Sequence, residues 1–297
     1  MLLQQLINGL VTGSVYALFA LGFTLIFGVH HILNLAHGAI FTWGAFVGLY
    51  CVTILDLPFP LVLVIAALVA GLLSVAVDWV AFKPLRRAGH SEFSAIVTSI
   101  GAGLILSSVA QRISNTEVMR FPFGTFPIEI YQFLGLRISL LQITIVGSVG
   151  VILLALAFLL FGTSFGQRIR AVAVDERTAS LLGVNPSSVY FQTFFISGAL
   201  AGVAGVLIGI AFNSVHFMMG EPYMLRAFVI IVLGGLGSVG GAVIAGLALG
   251  IVHTLTIAYL SAALSDAIIF SILFAVLLLR PTGLFGTLRR ETRVARV

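Results

Sequence analysis

The stretch "GVHHILNLAHGAIFTWGAF", residues 28 to 46, decides how the chain is laid out. On either side the sequence is apolar for some twenty residues, enough for a helix to cross the ~30 Å hydrocarbon core of a bilayer. Here three histidines (His30, His31, His37), Asn34 and two glycines fall between two such runs. Continuous helix would set His30, Asn34 and His37 on one face, at i, i+4 and i+7. Asparagine is a poor ligand for the metals that histidine favours, and no carboxylate stands near in sequence to orient them, so a metal centre is not expected. The better physical reading is a non-helical joint in or at the membrane. Its polar side chains would satisfy freed backbone groups, and Gly38 would let the chain enter the next span.

Outward from this joint, composition sets the class. Of 297 residues, 60% are hydrophobic and 8% charged, with a mean hydropathy of +1.19. A soluble domain carries roughly a quarter charged residues. The solvent for this chain is therefore lipid, and the fold class is an all-α polytopic membrane protein. Apolar runs lie near 7–29, 36–55, 60–82, 93–111, 140–162, 188–213, 224–236, 240–262 and 265–280. Eight or nine spans are both compatible with them, because the seventh is short and leads into "GGLGSVGG" at 234–241. The whole length, 1–297, is expected to form one transmembrane domain. The first basic residue is Lys83, so no basic signal-peptide region precedes the first run, which is expected to be retained as a span. Cys51 alone permits no internal disulfide.

Basic residues give the orientation. "KPLRRAGHSE" carries Lys83, Arg86 and Arg87; a segment at 163–187 carries Arg168, Arg170 and Arg177; the tail at 281–297, with Arg280 at its edge, carries four further arginines. All three are expected on one cytoplasmic face, with the sparser loop 112–139 outside and the N-terminus outside with it. The net charge of +5 is then read as attraction to anionic lipid, not to nucleic acid.

Glycines form two groups. Pairs four apart, such as Gly9/Gly13, Gly44/Gly48, Gly198/Gly202, Gly205/Gly209 and Gly246/Gly250, read as close helix packing in lipid. The cluster Gly234, Gly235, Gly237, Gly240 and Gly241 is too flexible for an ordinary span and reads either as a pathway or gating element or as simple close packing.

Several chemistries are missing. No G-x-x-x-x-G-K-[ST] occurs, and the one lysine precedes a proline, so this chain has no phosphate-binding loop. There is no H-E-x-x-H or G-x-S-x-G, and an enzyme is not expected. Asp78 and Asp266 lie near run ends, within reach of Lys83 and at the start of the last span; His253 is read as a packing residue.

The segment "GQRIRAVAVDERTASLLGVNPSS" is too polar to span. Ile169, Val172, Glu176, Ala179 and Leu182 mark one stripe of a short amphipathic helix, with Gly183 as its stop and Pro186 beyond. Its mid-helix acids would be repelled by anionic lipid, so a protein groove is the expected partner.

Four stretches in order resemble ABC-importer permeases of the branched-chain amino-acid (LivH) type: "NLAHG" (34–38), "RAVAVDERTASLLGV" with "FFISGALAGVAGVLIG", "VLGGLGSVGGAVIAG", and "RPTGLFG" (280–286). Ala39 stands where that family is often acidic. The resemblance implies a bacterial inner-membrane subunit that pairs with a second, related permease, two cytoplasmic ATPase subunits and a periplasmic binding protein. ATP and Mg would be held by the ATPase chains and no cofactor by this one. Arg170, Asp175, Glu176, Ala179 and Gly183 would engage the ATPase. Asn34, His37 and Gly38, with the 234–241 glycines, would shape or gate the passage, and Arg120 and Glu221 would lie in outer loops facing the binding protein. Branched-chain or other amino acids are the expected cargo; urea, short amides or aromatic acids, or a stand-alone channel, are the alternatives.

Overall fold

The computed structural model describes residues 1–88, 92–122, 124–127, 129–133 and 135–286. The chain runs α1 (Leu2–His30), α2 (His37–Thr53), α3 (Phe59–Val77), α4 (Lys83–Ala88) and α5 (Glu92–Ser114). A hairpin of β1 (Ile130–Phe133) and β2 (Leu136–Ser139) follows. Then come α6 (Leu140–Gly162), α7 (Ser164–Val174), α8 (Glu176–Leu181), α9 (Pro186–Ala211), α10 (Gly220–Gly234), α11 (Val239–Tyr259) and α12 (Ala262–Leu279). Seven of these helices are long and apolar enough to cross a membrane, counting α3 through Arg86 as one. α2 is apolar but shorter, at 17 residues, and α10 has only 15.

Two boundaries have clear chemical causes. Between α3 and α4 the helix widens into a π turn over Asp78–Phe82, with Lys83 N–H bonded back to Asp78. Pro84, one residue on, has no N–H to offer, and a wider turn absorbs that loss without ending the helix. At the other hinge Ser139 caps α6 reciprocally with Gln142, so the hairpin leads straight into a span.

α1 and α9 sit at the centre, buried along most of their lengths. What lets other helices reach them is the absence of side chains. A Cβ on Gly9 would come within 2.7 Å of the Ile251 Cα, and one on Gly246 within 2.7 Å of the Ala17 Cα; Gly250 lies directly on Gly13. Gly44 meets Gly202 in the same way where α2 crosses α9. These are dispersion contacts between backbones, the means by which helices associate when lipid removes the hydrophobic drive.

The first two dense basic segments, around Arg86 and Glu176, meet at one end. Arg86 stacks over Tyr190 at 4.7 Å and pairs with Asp78 at 2.7 Å, while His30, at the end of α1, lies 4.3 Å from Tyr190. Asp78 thus pairs with Arg86, one helical turn beyond the lysine expected to serve it. The opposite end holds the N-terminus and the hairpin: Gln4 accepts from Arg137 N–H at 2.9 Å and donates to its carbonyl at 2.8 Å. The basic tail from 287 and the loop residues 89–91 lie outside the described residues.

Candidate functional site: a broken joint, an amphipathic segment and a charged short helix

The joint is present, and it is re-entrant. α1 ends at His30, with His31 in the left-handed region at φ 54°. Residues 31–36 then climb back along α1, because His37 donates from Nε2 to the Phe19 carbonyl at 3.3 Å and stacks on the Phe19 ring at 4.7 Å. Phe19 lies eleven residues before His30, about 16 Å along the helix axis. α2 therefore begins inside the bundle. The helical spacing that would align His30, Asn34 and His37 does not exist; His30 packs on Tyr190 and Phe194 instead. The freed backbone is satisfied by side chains: the Asn34 Oδ1 accepts from Ala36 N–H at 3.2 Å, and the Ser99 hydroxyl from Leu35 N–H at 3.1 Å. Asn34 and His37 are fully buried, while Gly38 lies against Gly220 at the start of α10.

The amphipathic segment is two helices where the sequence suggested one. Asp175 breaks it with extended backbone (φ −157°, ψ 110°), then caps α8 by accepting from Thr178 N–H at 2.9 Å. That bond holds the Asp175 carboxyl below the usual carboxylate range. Ile169, Val172 and Ala179 are buried, as the stripe predicts, but Leu182 points away because the break at Asp175 resets the helical phase. Gly183 has the expected left-handed φ of 85°. Pro186 opens α9, with Asn185 as its N-cap. Arg170 folds back onto the Leu160 carbonyl. Val174, Leu181 and Leu182 remain 75–83% exposed beside the exposed Glu176, an apolar patch on a polar segment. Glu176 borders one cavity with Tyr190, Arg86 and Asp78, which sets α8 beside the central helix α9 and the Arg86 and His30 cluster.

The glycine cluster forms the α10–α11 connection at the basic end. Gly234 packs on Gly241, Gly235 (φ 95°) on Gly286, and Gly237 (φ 82°) on Gly28; a Cβ on Gly240 would touch nothing within 4 Å. The terminal "RPTGLFG" fastens this turn, with Leu284 N–H bonded to the Leu233 carbonyl at 2.8 Å.

α10 corrects two expectations. It begins at Gly220, four residues ahead of the apolar run, so Glu221 is in its first turn and not in an outer loop. Arg226, only two residues into the expected run at 224–236, falls instead near the middle of the helix. The overlooked signal is Pro222, which is tolerated only in a first turn. Arg226 gives two bonds to Asp266 Oδ1, at 2.9 and 3.2 Å, and one to the Tyr16 hydroxyl at 2.9 Å. The Tyr16 oxygen lies 3.3 Å from His253 Nδ1, which agrees with a packing role for that histidine.

Comparison with known proteins bears on the whole chain. The family described as branched-chain amino acid transport system / permease component matches residues 5–277. The high-affinity branched-chain amino acid transport system permease protein BraD of Pseudomonas aeruginosa is 31% identical, over 96% of this chain and 95% of its own. LivH of Escherichia coli K12, which carries the same description, is 33% identical over the same shares. The ribose import permease protein RbsC of E. coli K12 is 28% identical over 80% of this chain and 71% of its own. With the match running from the first span almost through the last, the chain belongs to the branched-chain amino acid transport system permease family.

Proposed function

We propose that the chain is one of two permease subunits of an ATP-driven importer in a bacterial inner membrane, and forms half of the passage for a small polar solute. The second half comes from a related permease, the energy from two cytoplasmic ATPase subunits that bind ATP and Mg, and the substrate from a periplasmic binding protein. No covalent chemistry is involved. Transport is alternating access, with nucleotide-driven closure of the ATPases pressed into the membrane helices through α7 and α8.

The observation that carries this reading is the apolar patch at Val174, Leu181 and Leu182 on the basic end. Lipid would not select a segment with Asp175 and Glu176 in its middle; a groove in a protein would take the leucines and pair the acids. Arg170, Ala179 and Gly183 shape that segment, and the cavity shared by Glu176 and Tyr190 sets it against the centre. Inside the same bundle, Asn34, His37 and Gly38 hold the re-entrant joint, and at its basic end the 234–241 turn lets α10 move against α11. Branched-chain or other amino acids are the proposed cargo, since BraD and LivH carry that description.

The test is copurification from the native membrane in mild detergent, with mass spectrometry of all retained chains. Two ATPase chains with G-x-x-x-x-G-K-[ST] and a second permease are expected. A chain recovered alone, folded and still passing solute in liposomes, contradicts the proposal.

A further inference from the structure

α10 covers about 21 Å from Gly220 to Gly234, and its lower end is level with Gly28 through Gly237. Glu221 therefore stands near the middle of α1, which agrees with the 5.8 Å ring contact of Tyr223 with Tyr16. It borders a cavity of about 270 Å³ whose far wall is Ile100, Gly103, Leu104 and Ser107, the middle of α5. The remaining walls are mostly apolar, from Leu35, Ala39, Phe217, Met224 and Leu225, with the Thr42 hydroxyl as a further polar group. This volume is at the lower edge of small-molecule sites, about 300–1,000 Å³.

The Glu221 side chain is exposed and has no hydrogen bond or ion pair among the described residues. An unpaired carboxylate at this depth does not face lipid; it faces a wet passage or a ligand. Arg226, five residues on, is already held by Asp266 and Tyr16 and does not neutralise it. Gly38 and Ala39 also line the cavity, and their amides find no acceptor among the described residues.

The geometry points to this cavity as a transit site for an aliphatic amino-acid zwitterion, with the ammonium group on Glu221 and the side chain against Leu104, Met224 and Leu225. The free amides of Gly38 and Ala39 are left for the carboxylate. The inference rests on the importer reading and adds to it where, and through which groups, this chain meets its cargo.

The experiment measures leucine and urea uptake by the complete transporter, with its binding protein, in ATP-loaded proteoliposomes. Two variants of this chain are compared with wild type: Glu221→Gln, which removes the charge at constant shape, and Ser107→Phe, which fills the cavity from α5. Both are expected to assemble with their partners at unchanged thermal stability while leucine uptake falls about tenfold or more, the scale of losing a bond to a charged group. Leucine uptake within about twofold of wild type in both variants overturns the inference. If Glu221→Gln fails to assemble, Ser107→Phe alone decides in the same way. A wild type that carries urea and no leucine overturns the inference and leaves the importer standing; one that carries neither overturns both.

Discussion

Glycine serves two regions of this molecule in different ways. In α1 and α11 it stands in pairs four residues apart, Gly9 with Gly13 and Gly246 with Gly250, and each of these is a place where two backbones touch: Gly9 on Ile251, Gly13 on Leu247, Gly246 on Ala17, Gly250 on Gly13. Between α10 and α11 it is clustered, and the copies differ from one another. Gly234 and Gly241 still touch backbone to backbone, Gly235 and Gly237 hold left-handed turns, and Gly240 contacts nothing. Periodic glycine is a packing device, and every member matters. Clustered glycine is a turn, and its members matter unequally.

Substitutions can break this comparison. The largest effect is expected from Gly250→Leu, which would drive α11 off α1. Overpacking costs about 1–3 kcal/mol in an ordinary core, and backbone-on-backbone contact places this variant at or above the upper end. Thermal unfolding of the purified chain should show it, and a stable Gly250→Leu protein would mean that α1 and α11 do not meet as described. Next comes the double change Glu176→Lys with Ala179→Arg on α8. Uptake should drop by about tenfold or more, as for like or unpaired charges buried at an interface, with ATP hydrolysis by the partner chains persisting. Unchanged uptake at normal expression would remove α8 from the ATPase contact.

The glycine turn gives a sharper contrast. Gly235→Ala meets both a φ of 95° and the Gly286 backbone, and should destabilise by about 1–3 kcal/mol. Gly240→Ala has open space and a helical backbone, and should be neutral or stabilising by up to about 1 kcal/mol. Equal effects at the two sites would show that the cluster acts as one flexible unit after all.

The smallest effect concerns pH. The Asp175 carboxyl is lowered in the folded chain by the Thr178 amide. A lowered folded value means that its contribution to α8 is complete above the unfolded value, about 3.9, and is lost only as pH falls through the folded one. Coupled uptake should therefore not vary between pH 5 and 8 on account of this cap. A loss of coupling near pH 6 that Asp175→Asn abolishes would contradict it.

Much of this was legible in the sequence. All nine apolar runs became helices within a few residues of their expected limits, because twenty apolar residues in lipid have few alternatives to helix. The joint at 31–36 was readable from its polar residues, and the stop at Gly183 from glycine's freedom at positive φ. The break at Asp175 was not, because the apolar stripe runs on through it in sequence and only the side-chain cap on Thr178 shows that the helix restarts. Nor was the hairpin at 130–139, whose four-residue strands are too short for alternation to stand out. At α10 the boundary was set by hydropathy, which discounts Glu221 and Arg226, although Pro222 marked the true start. That four-residue shift moved Glu221 from an outer loop to the border of a cavity level with the middle of α1.

The central claim is that this chain moves solute only when partner ATPases drive it. The most direct measurement is leucine uptake into proteoliposomes holding the complete transporter and its binding protein, with ATP or a non-hydrolysable analogue inside the partner-bearing compartment. Accumulation against the gradient with ATP, and none with the analogue, is the predicted result. Downhill leucine flux through the purified chain alone, unaffected by nucleotide, would contradict the account and make the protein a facilitator.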